Sequence, residues 1–329
     1  MSSIVDYIME LGHVPVLPLM GVNGIKLTNT TLKENLTDVE TQLKTLRALR
    51  NKFQPDGMCM LMDLTVEAEA IGLPVRIEEN ESPVVSGHNI NTMEDLEAVK
   101  NAWSGNGGRM DLFADVVKNM VADNDGLTIP YVSGPFTLAG EMMGVNELTM
   151  NTILDPDLVK AFLPVAVEVI SDYTRKLFEA GADMVCVLEP TAMMISPDQF
   201  EEFSLAPFRE ILTNVENKPL ILHICGNTSH LIEKMGTSGA AALSLDWQID
   251  MEDSINKIPR DVLLIGNLDP VKVFLQGTPE SVKADTAALI EKMKPYRNFV
   301  LSSGCDLPLE TPDENLGAFM EAARELLPL

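Results

Sequence analysis

The sequence is short of basic residues and has no long apolar segment. Only 24 Lys and Arg stand against 49 Asp and Glu in 329 residues, which gives a formal net charge of −25. Such a chain repels phosphate backbones and anionic lipid, so nucleic acids and membrane surfaces are poor partners for it. No apolar stretch approaches the roughly 20 residues that span a bilayer. Because no basic residue precedes Lys26, the N-terminus does not resemble a secretory signal, and we expect a cytoplasmic protein.

Cysteine and histidine are equally scarce, with four of each in the chain. Four cysteines in a chain of this length do not make a disulfide framework. Cys59 and Cys186 lie within apolar runs rich in Met and Val, which predicts buried thiols. His13, His88 and His230 have no second metal-binding side chain at a suitable spacing, and we interpret them as surface or loop histidines.

The sequence does contain eight short apolar runs that are separated by helical patterns. Their apolar character is continuous rather than alternating, which is typical of parallel strands that are buried on both faces. The runs cover residues 14–20, 57–63, 128–134, 183–189, 219–226, 241–246, 262–269 and 299–306.

Eight strand–helix units predict an α/β fold of the (β/α)8 TIM-barrel type, with loop insertions at residues 64–127 and 135–182. A doubly wound open sheet is the alternative. We favour the barrel because the count is eight and because no GxGxxG fingerprint follows the first run. No low-complexity linker divides the chain, so we expect a single domain over residues 1–329.

The polar residues at the strand ends are the candidate site, because active sites of barrels lie at the carboxyl ends of the strands. His223 and Cys225 are two residues apart, so their side chains point to the same face of a strand. Cys305 ends the last predicted strand and can reach the same space. One imidazole and two thiolates suit zinc and leave a fourth position open, as in catalytic sites. On spacing alone, a zinc site and three ordinary buried side chains without a metal are equal alternatives.

Several segments carry a family resemblance. HICGNTSHLIEKM, SLDWQID, GNLDP and SSGCDLPLETPDEN resemble the uroporphyrinogen decarboxylase superfamily, and so do SGPFTLAGEMMG and PDGMCMLMDLTVEAEAIG. The His-x-Cys pair with a distant Gly-Cys is more similar to the zinc-dependent methylcobamide:coenzyme M methyltransferase branch. The resemblance implies that His223, Cys225 and Cys305 bind zinc. It also implies that the zinc activates a thiol, which takes a methyl group from a methylcorrinoid carried by a partner corrinoid protein.

The chain departs from the decarboxylases at three of four characteristic features. Their arginine-rich N-terminal segment corresponds here to LPLMGVNGIKL, which has no arginine. Their tyrosine after the GP[FW]T motif falls near Glu141, and their histidine after the last strand falls on Cys305. Only the aspartate of the second strand is retained, as Asp63. These departures disfavour a porphyrinogen as the substrate.

Three acidic residues at predicted strand ends are candidate catalytic residues. Asp246 and Glu189 are each candidates for a fourth zinc ligand or for a hydrogen-bond acceptor of His223. Asp63 either positions the substrate or is inherited scaffold. Tetrahydrofolate as the methyl acceptor, porphyrinogen decarboxylation and a non-catalytic zinc protein that stores or delivers corrinoid are the alternative functions.

Overall fold

The structure is a computed structural model that describes residues 4–123 and 126–325, so that residues 1–3, 124–125 and 326–329 of the predicted domain lie outside it. Its strands are β1 (Gly57–Cys59), β2 (Val75–Arg76), β3 (Val84–Val85), β4 (Leu127–Ile129), β5 (Tyr131–Ser133), β6 (Val185–Leu188), β7 (Leu220–Ile224), β8 (Ala242–Leu245), β9 (Leu263–Leu268) and β10 (Phe299–Ser303).

The α-helices are α1 (Ile4–Met9), α2 (Ile25–Thr28), α3 (Leu32–Thr37), α4 (Val39–Phe53), α5 (Val66–Ala70), α6 (Met93–Ala102), α7 (Met110–Ala122), α8 (Pro135–Met143), α9 (Val145–Leu154), α10 (Pro156–Glu179), α11 (Pro197–Phe200), α12 (Ala206–Asn214), α13 (Ile232–Gly236), α14 (Met251–Ile255), α15 (Pro279–Met293) and α16 (Asp313–Glu325). Short 3-10 helices cover Val22–Gly24 and Pro190–Met194, and π-helical turns cover Glu201–Leu205 and Pro270–Leu275. No helix in the described ranges is long and apolar enough to cross a membrane.

Parallel strands form the predicted barrel. β5 to β10 pair in chain order, each parallel to the next, and β1 pairs in parallel with β4. β4 and β5 form one segment that is interrupted at Pro130, where the ring nitrogen has no hydrogen to donate. The Pro130 carbonyl still accepts the Cys186 N–H at 2.9 Å, so the segment stays attached to β6. The α/β barrel is thus confirmed.

The first predicted strand, at residues 14–20, does not form a ladder. It contributes a single parallel bridge, from Val16 to Leu301 of β10, and its Val16 carbonyl accepts the Asp56 N–H on the β1 side. The physical reason is its two prolines, Pro15 and Pro18, which supply no N–H to a ladder. The segment still closes the ring between β10 and β1.

Side chains of β10 replace the missing ladder bonds of this closing segment. The Ser302 hydroxyl donates to the Leu17 carbonyl at 2.6 Å, and the Ser303 hydroxyl accepts the Leu19 N–H at 3.1 Å. Both serines are fully buried. Because an unpaired N–H in the core is costly, these two bonds fix the closing segment in place.

The apolar core consists of two clusters, one inside the barrel and one between the strands and the helices. The cluster to which a strand residue belongs shows whether its side chain faces the interior or the helices. Because side chains alternate along a strand, His223 and Cys225 share the interior face of β7 with Ile221, and Glu189 lies on the opposite face of its strand from Leu188. The interior cluster contains Leu17, Leu19, Cys59, Leu127, Ile129, Tyr131, Met184, Cys186, Leu188, Ile221, Ala242, Leu263, Ile265 and Val300.

The two predicted insertions are present as secondary structure. The first contains the antiparallel hairpin β2–β3 and helices α6 and α7. The second contains helices α8, α9 and α10. Helix α8 begins directly after β5, so its N-terminus lies at the carboxyl end of the barrel.

Replacing Ser303 with alanine should destabilise the barrel closure. The change leaves the buried Leu19 N–H without its acceptor, so we expect the free energy of unfolding to fall by about 1–3 kcal/mol. Denaturant titration followed by circular dichroism measures this. Ser229→Ala is the control, because Ser229 is exposed and bonds only to Asn227 nearby. Equal effects of the two changes would contradict the closure role.

Candidate metal centre

His223, Cys225 and Cys305 meet at the carboxyl end of the barrel. The Nε2 atom of His223 lies 3.0 Å from the Cys225 sulfur and 4.0 Å from the Cys305 sulfur, and the two sulfurs are 3.2 Å apart. His223 is buried and the cysteines are half-buried. Within the described residues, this is the one group of three or more His, Cys, Asp or Glu whose ligand atoms all approach within 4.8 Å.

The three donor atoms fit a tetrahedral metal ion. Bonds of about 2.3 Å to sulfur and about 2.0 Å to nitrogen place tetrahedral ligand atoms about 3.5–3.8 Å from one another. The observed separations of 3.0, 3.2 and 4.0 Å bracket this range. The donors are two sulfurs and one imidazole nitrogen, which is the set that zinc prefers. Such an ion would have one coordination position open towards the mouth.

Ser244 orients the histidine ring. Its hydroxyl lies 2.9 Å from His223 Nδ1, and the two residues are register partners on β7 and β8. A bond at Nδ1 leaves Nε2 facing the two sulfurs. From the sequence, Asp246 and Glu189 were each candidates for the hydrogen-bond acceptor of His223, whereas in the structure the partner of Nδ1 is Ser244. Ser244 could not be identified from the sequence, because its position opposite His223 depends on the register of β7 and β8, which a single sequence does not reveal.

The two cysteine sulfurs lie in direct contact, 3.2 Å apart. The contact with Cys225, together with a contact to His223, lowers the pKa of Cys305. The contact with Cys305 and burial raise the pKa of Cys225. A lowered thiol pKa favours the thiolate, which is the form that binds metal ions.

Asp246 faces the metal centre but is not part of the three-residue cluster. It lies two residues beyond Ser244 on the interior face, and its charge contributes to raising the pKa of Cys225. Its Oδ1 accepts the Gln248 N–H at 3.0 Å. No carboxylate oxygen of the described residues joins the cluster within 4.8 Å, so a fourth ligand from Asp246 or Glu189 is not in place.

Glu189 is bound to the start of helix α8 instead. Its carboxylate accepts the N–H groups of Phe136 at 3.1 Å and Thr137 at 2.6 Å, and the Thr137 hydroxyl at 2.6 Å. The Ser204 hydroxyl adds a bond at 3.3 Å. Burial nevertheless raises its pKa to about 7. These contacts favour a role in holding α8, and a direct part in catalysis stays a prediction.

Asp63 forms a buried ion pair with Arg109. Its Oδ2 accepts from the Arg109 guanidinium at 2.5 Å, and its Oδ1 accepts the N–H and hydroxyl of Thr65. Arg109 also donates to Glu69 at 2.7 Å. Every oxygen of Asp63 is thus engaged within the protein, which favours the scaffold role over substrate positioning. The sequence interpretation missed Arg109, because it lies 46 positions away on the far side of the hairpin.

Two more acids, the buried Glu67 and the half-buried Glu141, lie near this ion pair. Glu67 Oε1 accepts the Ser133 N–H at 2.7 Å. Burial raises the pKa of Glu67 to about 8, and burial together with neighbouring acids raises the pKa of Glu141 well above its usual value. Glu67 was not identified from the sequence, because a Glu in an amphipathic helix is ordinarily exposed.

The other histidines and cysteines behave as predicted. Cys59 and Cys186 are buried inside the barrel, and burial raises the pKa of Cys59 to about 12. His13 contacts Asp56, His88 contacts the Glu141 carbonyl and His230 contacts the Ile195 carbonyl. None of them belongs to the metal cluster.

Exposed apolar side chains flank the metal centre. A Cβ atom on Gly226, which follows Cys225, would lie 3.2 Å from Met193. A Cβ atom on Gly304, which precedes Cys305, would lie 2.4 Å from the backbone nitrogen of Trp247. Met193 is 39% exposed and Trp247 is 47% exposed. Exposed large apolar groups beside a site indicate a surface that receives a partner or ligand.

The model of the uroporphyrinogen decarboxylase (URO-D) family matches residues 9–326. The chain belongs to the URO-D family. It is 30% identical over 270 residues to the methylcobamide:CoM methyltransferase MtbA of Methanosarcina acetivorans, covering 80% of this chain and 77% of that protein. It is 26% identical over 289 residues to the uroporphyrinogen decarboxylase of Prochlorococcus marinus, covering 83% and 79%.

A solved structure agrees with this membership. The methyltransferase from Methanosarcina mazei superposes with a TM-score of 0.84 at 25% identity, over 95% of this chain and 94% of that chain. Relatives named for methyl transfer and for decarboxylation are thus similar to this URO-D chain to almost the same degree. The residues of the site must therefore distinguish between the two activities.

Glu67 should make the stability of the protein depend on pH. The folded pKa of about 8 lies above the ordinary 4.5, so ionisation favours the unfolded chain, and the free energy of unfolding should fall as pH rises from about 4.5 to 8. Glu67→Gln should reduce the loss between pH 5 and pH 8 by on the order of 1–3 kcal/mol. Denaturant titrations at both pH values measure this, with the exposed Glu147→Gln as control. The same loss in both variants would contradict the assignment.

Proposed function

We propose that this protein is a zinc-dependent methyltransferase. It moves a methyl group from a methyl-Co(III) corrinoid, carried by a separate protein, to a small thiol of the coenzyme M type. The observation that carries the proposal is the convergence of His223, Cys225 and Cys305 at the barrel mouth. The similarity to MtbA supports it, because that relative is named for transfer between a methylcobamide and a thiol.

The protein residues have distinct roles in this proposal. A bound zinc ion would supply Lewis acidity that keeps the acceptor thiol ionised at neutral pH. His223 and the two cysteines hold it, and Ser244 keeps Nε2 of His223 directed at the site. In this proposal Asp246 accepts the proton that the acceptor thiol gives up, either directly or through water.

The transfer itself balances without an added oxidant or reductant. The thiolate sulfur attacks the methyl carbon and forms the S–C bond as the Co–C bond breaks. The electron pair of the broken bond stays on cobalt, which leaves as Co(I). The barrel positions the sulfur for the attack.

The corrinoid arrives from outside in this proposal. A base-off corrinoid carrier needs a D-x-H-x-x-G segment, and no histidine of this sequence has that context. The exposed Met193 and Trp247 beside the metal centre form an apolar surface against which a corrin face can pack. We therefore propose a corrinoid protein as the partner.

Porphyrinogen decarboxylation is the second candidate, because a relative at 26% identity carries that name. A substrate with several carboxylates needs free arginines at the mouth. Arg109 is committed to Asp63 and Glu69 within the protein. The acids beside it, Glu67 and Glu141, add no positive charge that could bind such a substrate.

The metal assignment has a direct test. The purified protein should contain about one zinc per chain, and His223→Ala and Cys305→Ala should each lose most of it. Elemental analysis by plasma emission measures the metal, and circular dichroism checks the fold. His230→Ala is the matched control, because His230 contacts only the Ile195 carbonyl. Stoichiometric zinc in both site variants would disprove the assignment.

The activity test compares acceptors with one donor. Methylcobalamin should lose its methyl group to coenzyme M or homocysteine faster than to tetrahydrofolate, and Cys305→Ala should slow the reaction with thiols at least 100-fold. The absorbance change on conversion to cob(I)alamin, read without oxygen, follows the reaction. Methyl transfer to tetrahydrofolate and to neither thiol would contradict the thiol acceptor and support tetrahydrofolate as the acceptor. Coproporphyrinogen formation that resists chelators would support the decarboxylase.

A further inference from the structure

A group of buried acidic side chains lies at the same level of the barrel as the metal centre, two strands away. Ser133 at the end of β5 is the register partner of Leu188, which is in turn the register partner of His223. Glu67 bonds to the Ser133 backbone, and Glu141 lies close enough for the charge of Glu67 to affect its pKa. The transfer proposed above gives these residues no role.

Polar atoms in this group lack partners. Glu67 Oε2, Glu141 Oε2 and Ser133 Oγ are buried and have no hydrogen-bond partner in the protein. Glu67 and Ser133 are completely buried. An unpaired oxygen in the core costs about 1–3 kcal/mol. Three such atoms around one strand end indicate that a donor group from outside the chain belongs there.

The local charge specifies what kind of donor fits. Arg109 is the basic residue at this group, and its charge is matched by Asp63 and Glu69. The ring of His88 contacts the Glu141 carbonyl rather than its carboxylate. Burial raises the pKa of Glu67 and of Glu141, so neither acid has a counter-cation that would favour its ionised form. An anionic group would meet no free positive charge at these residues, whereas an ammonium group would supply several N–H donors and the positive charge that lets the acids ionise.

We propose that the acceptor is an aminothiol whose ammonium group binds Glu67, Glu141 and Ser133 while its sulfur binds at the metal centre. This rests on the proposed function and specifies its substrate class. It also separates this chain from an acceptor with a sulfonate tail, for which the same pocket would be unfavourable.

The distance between the two sites suits a short aminothiol. Neighbouring strands lie about 4.8 Å apart, so the strand ends carrying Ser133 and His223 are about 10 Å apart. This separation of the strand ends favours an acceptor with a short chain between its sulfur and its nitrogen.

Binding of an ammonium group would offset an otherwise unfavourable feature of the fold. Burial without a counter-cation raises the pKa of Glu67 to about 8, so Glu67 is mostly protonated near pH 7 before such a group binds. An ammonium group at Oε2 favours the ionised form, and a proton is released when it binds.

Three thiols that differ only in the charge of the end group test the proposal. These are 2-aminoethanethiol, 2-mercaptoethanol and 2-mercaptoethanesulfonate, each with methylcobalamin as donor and the zinc-loaded full-length protein. We expect kcat/KM to be highest for the cationic thiol. The ratio of cationic to neutral thiol should fall about tenfold in Glu67→Gln and in Glu141→Gln, because one charge-assisted bond is lost. Taking the ratio within each variant cancels the intrinsic reactivity of the thiols.

The matched control is Glu147→Gln, an exposed acid on the neighbouring helix α9, which should leave the ratio unchanged. An unchanged ratio in both pocket variants, or a preference for the sulfonate, would overturn the inference. Calorimetric titration with 2-aminoethanethiol and 2-mercaptoethanol gives a second reading that needs no turnover, and equal affinities would also overturn it. No transfer to any thiol, combined with tighter binding of the cationic one, would contradict only the proposed function.

Discussion

The parallel register of β7 with its neighbours is the constraint on which the site depends. It sets His223 level with Ser244 on one side and with Leu188 on the other. Since side chains alternate along a strand, a shift of one residue would turn His223 and Cys225 out of the barrel. The alternation of apolar residues in the two core clusters opposes such a shift, because Ile221 would leave the interior with them. The metal centre is therefore held by the same packing that stabilises the barrel.

The mouth of the barrel is divided into two chemical halves. The soft donors come from the ends of β7 and β10, and the oxygen-rich half comes from β5 and helices α5 and α8. Each half has its own fixing contacts: Ser244 on His223 in the first, and Glu189 on the first turn of α8 in the second. A small molecule that spans the mouth thus meets a position for sulfur at one end and carboxylates at the other.

Much of the fold and part of the site followed from sequence periodicity. Eight apolar runs predicted the barrel, and the spacing of two predicted that His223 and Cys225 share a face. The prolines of the first run, which have no N–H, explain why this run makes only one bridge. Glu189 bonds to helix α8 because Leu188 lies inside the barrel and Glu189 therefore lies on the other face. Ser244 could not be assigned to His223, because strand register is a property of the assembled sheet.

Family similarity alone does not choose between methyl transfer and decarboxylation, since relatives with both names are nearly equally similar. We base the choice on two residues of the candidate site, Cys305 and Glu141. Cys305 completes a soft metal-binding set, and Glu141 offers no positive charge to a polyanionic substrate. Arg109 cannot compensate, because releasing it would leave Asp63 buried without its counter-ion, at a cost of about 3–5 kcal/mol. Because Arg109 is already paired with Asp63, we expect this part of the mouth to suit neutral or cationic small molecules.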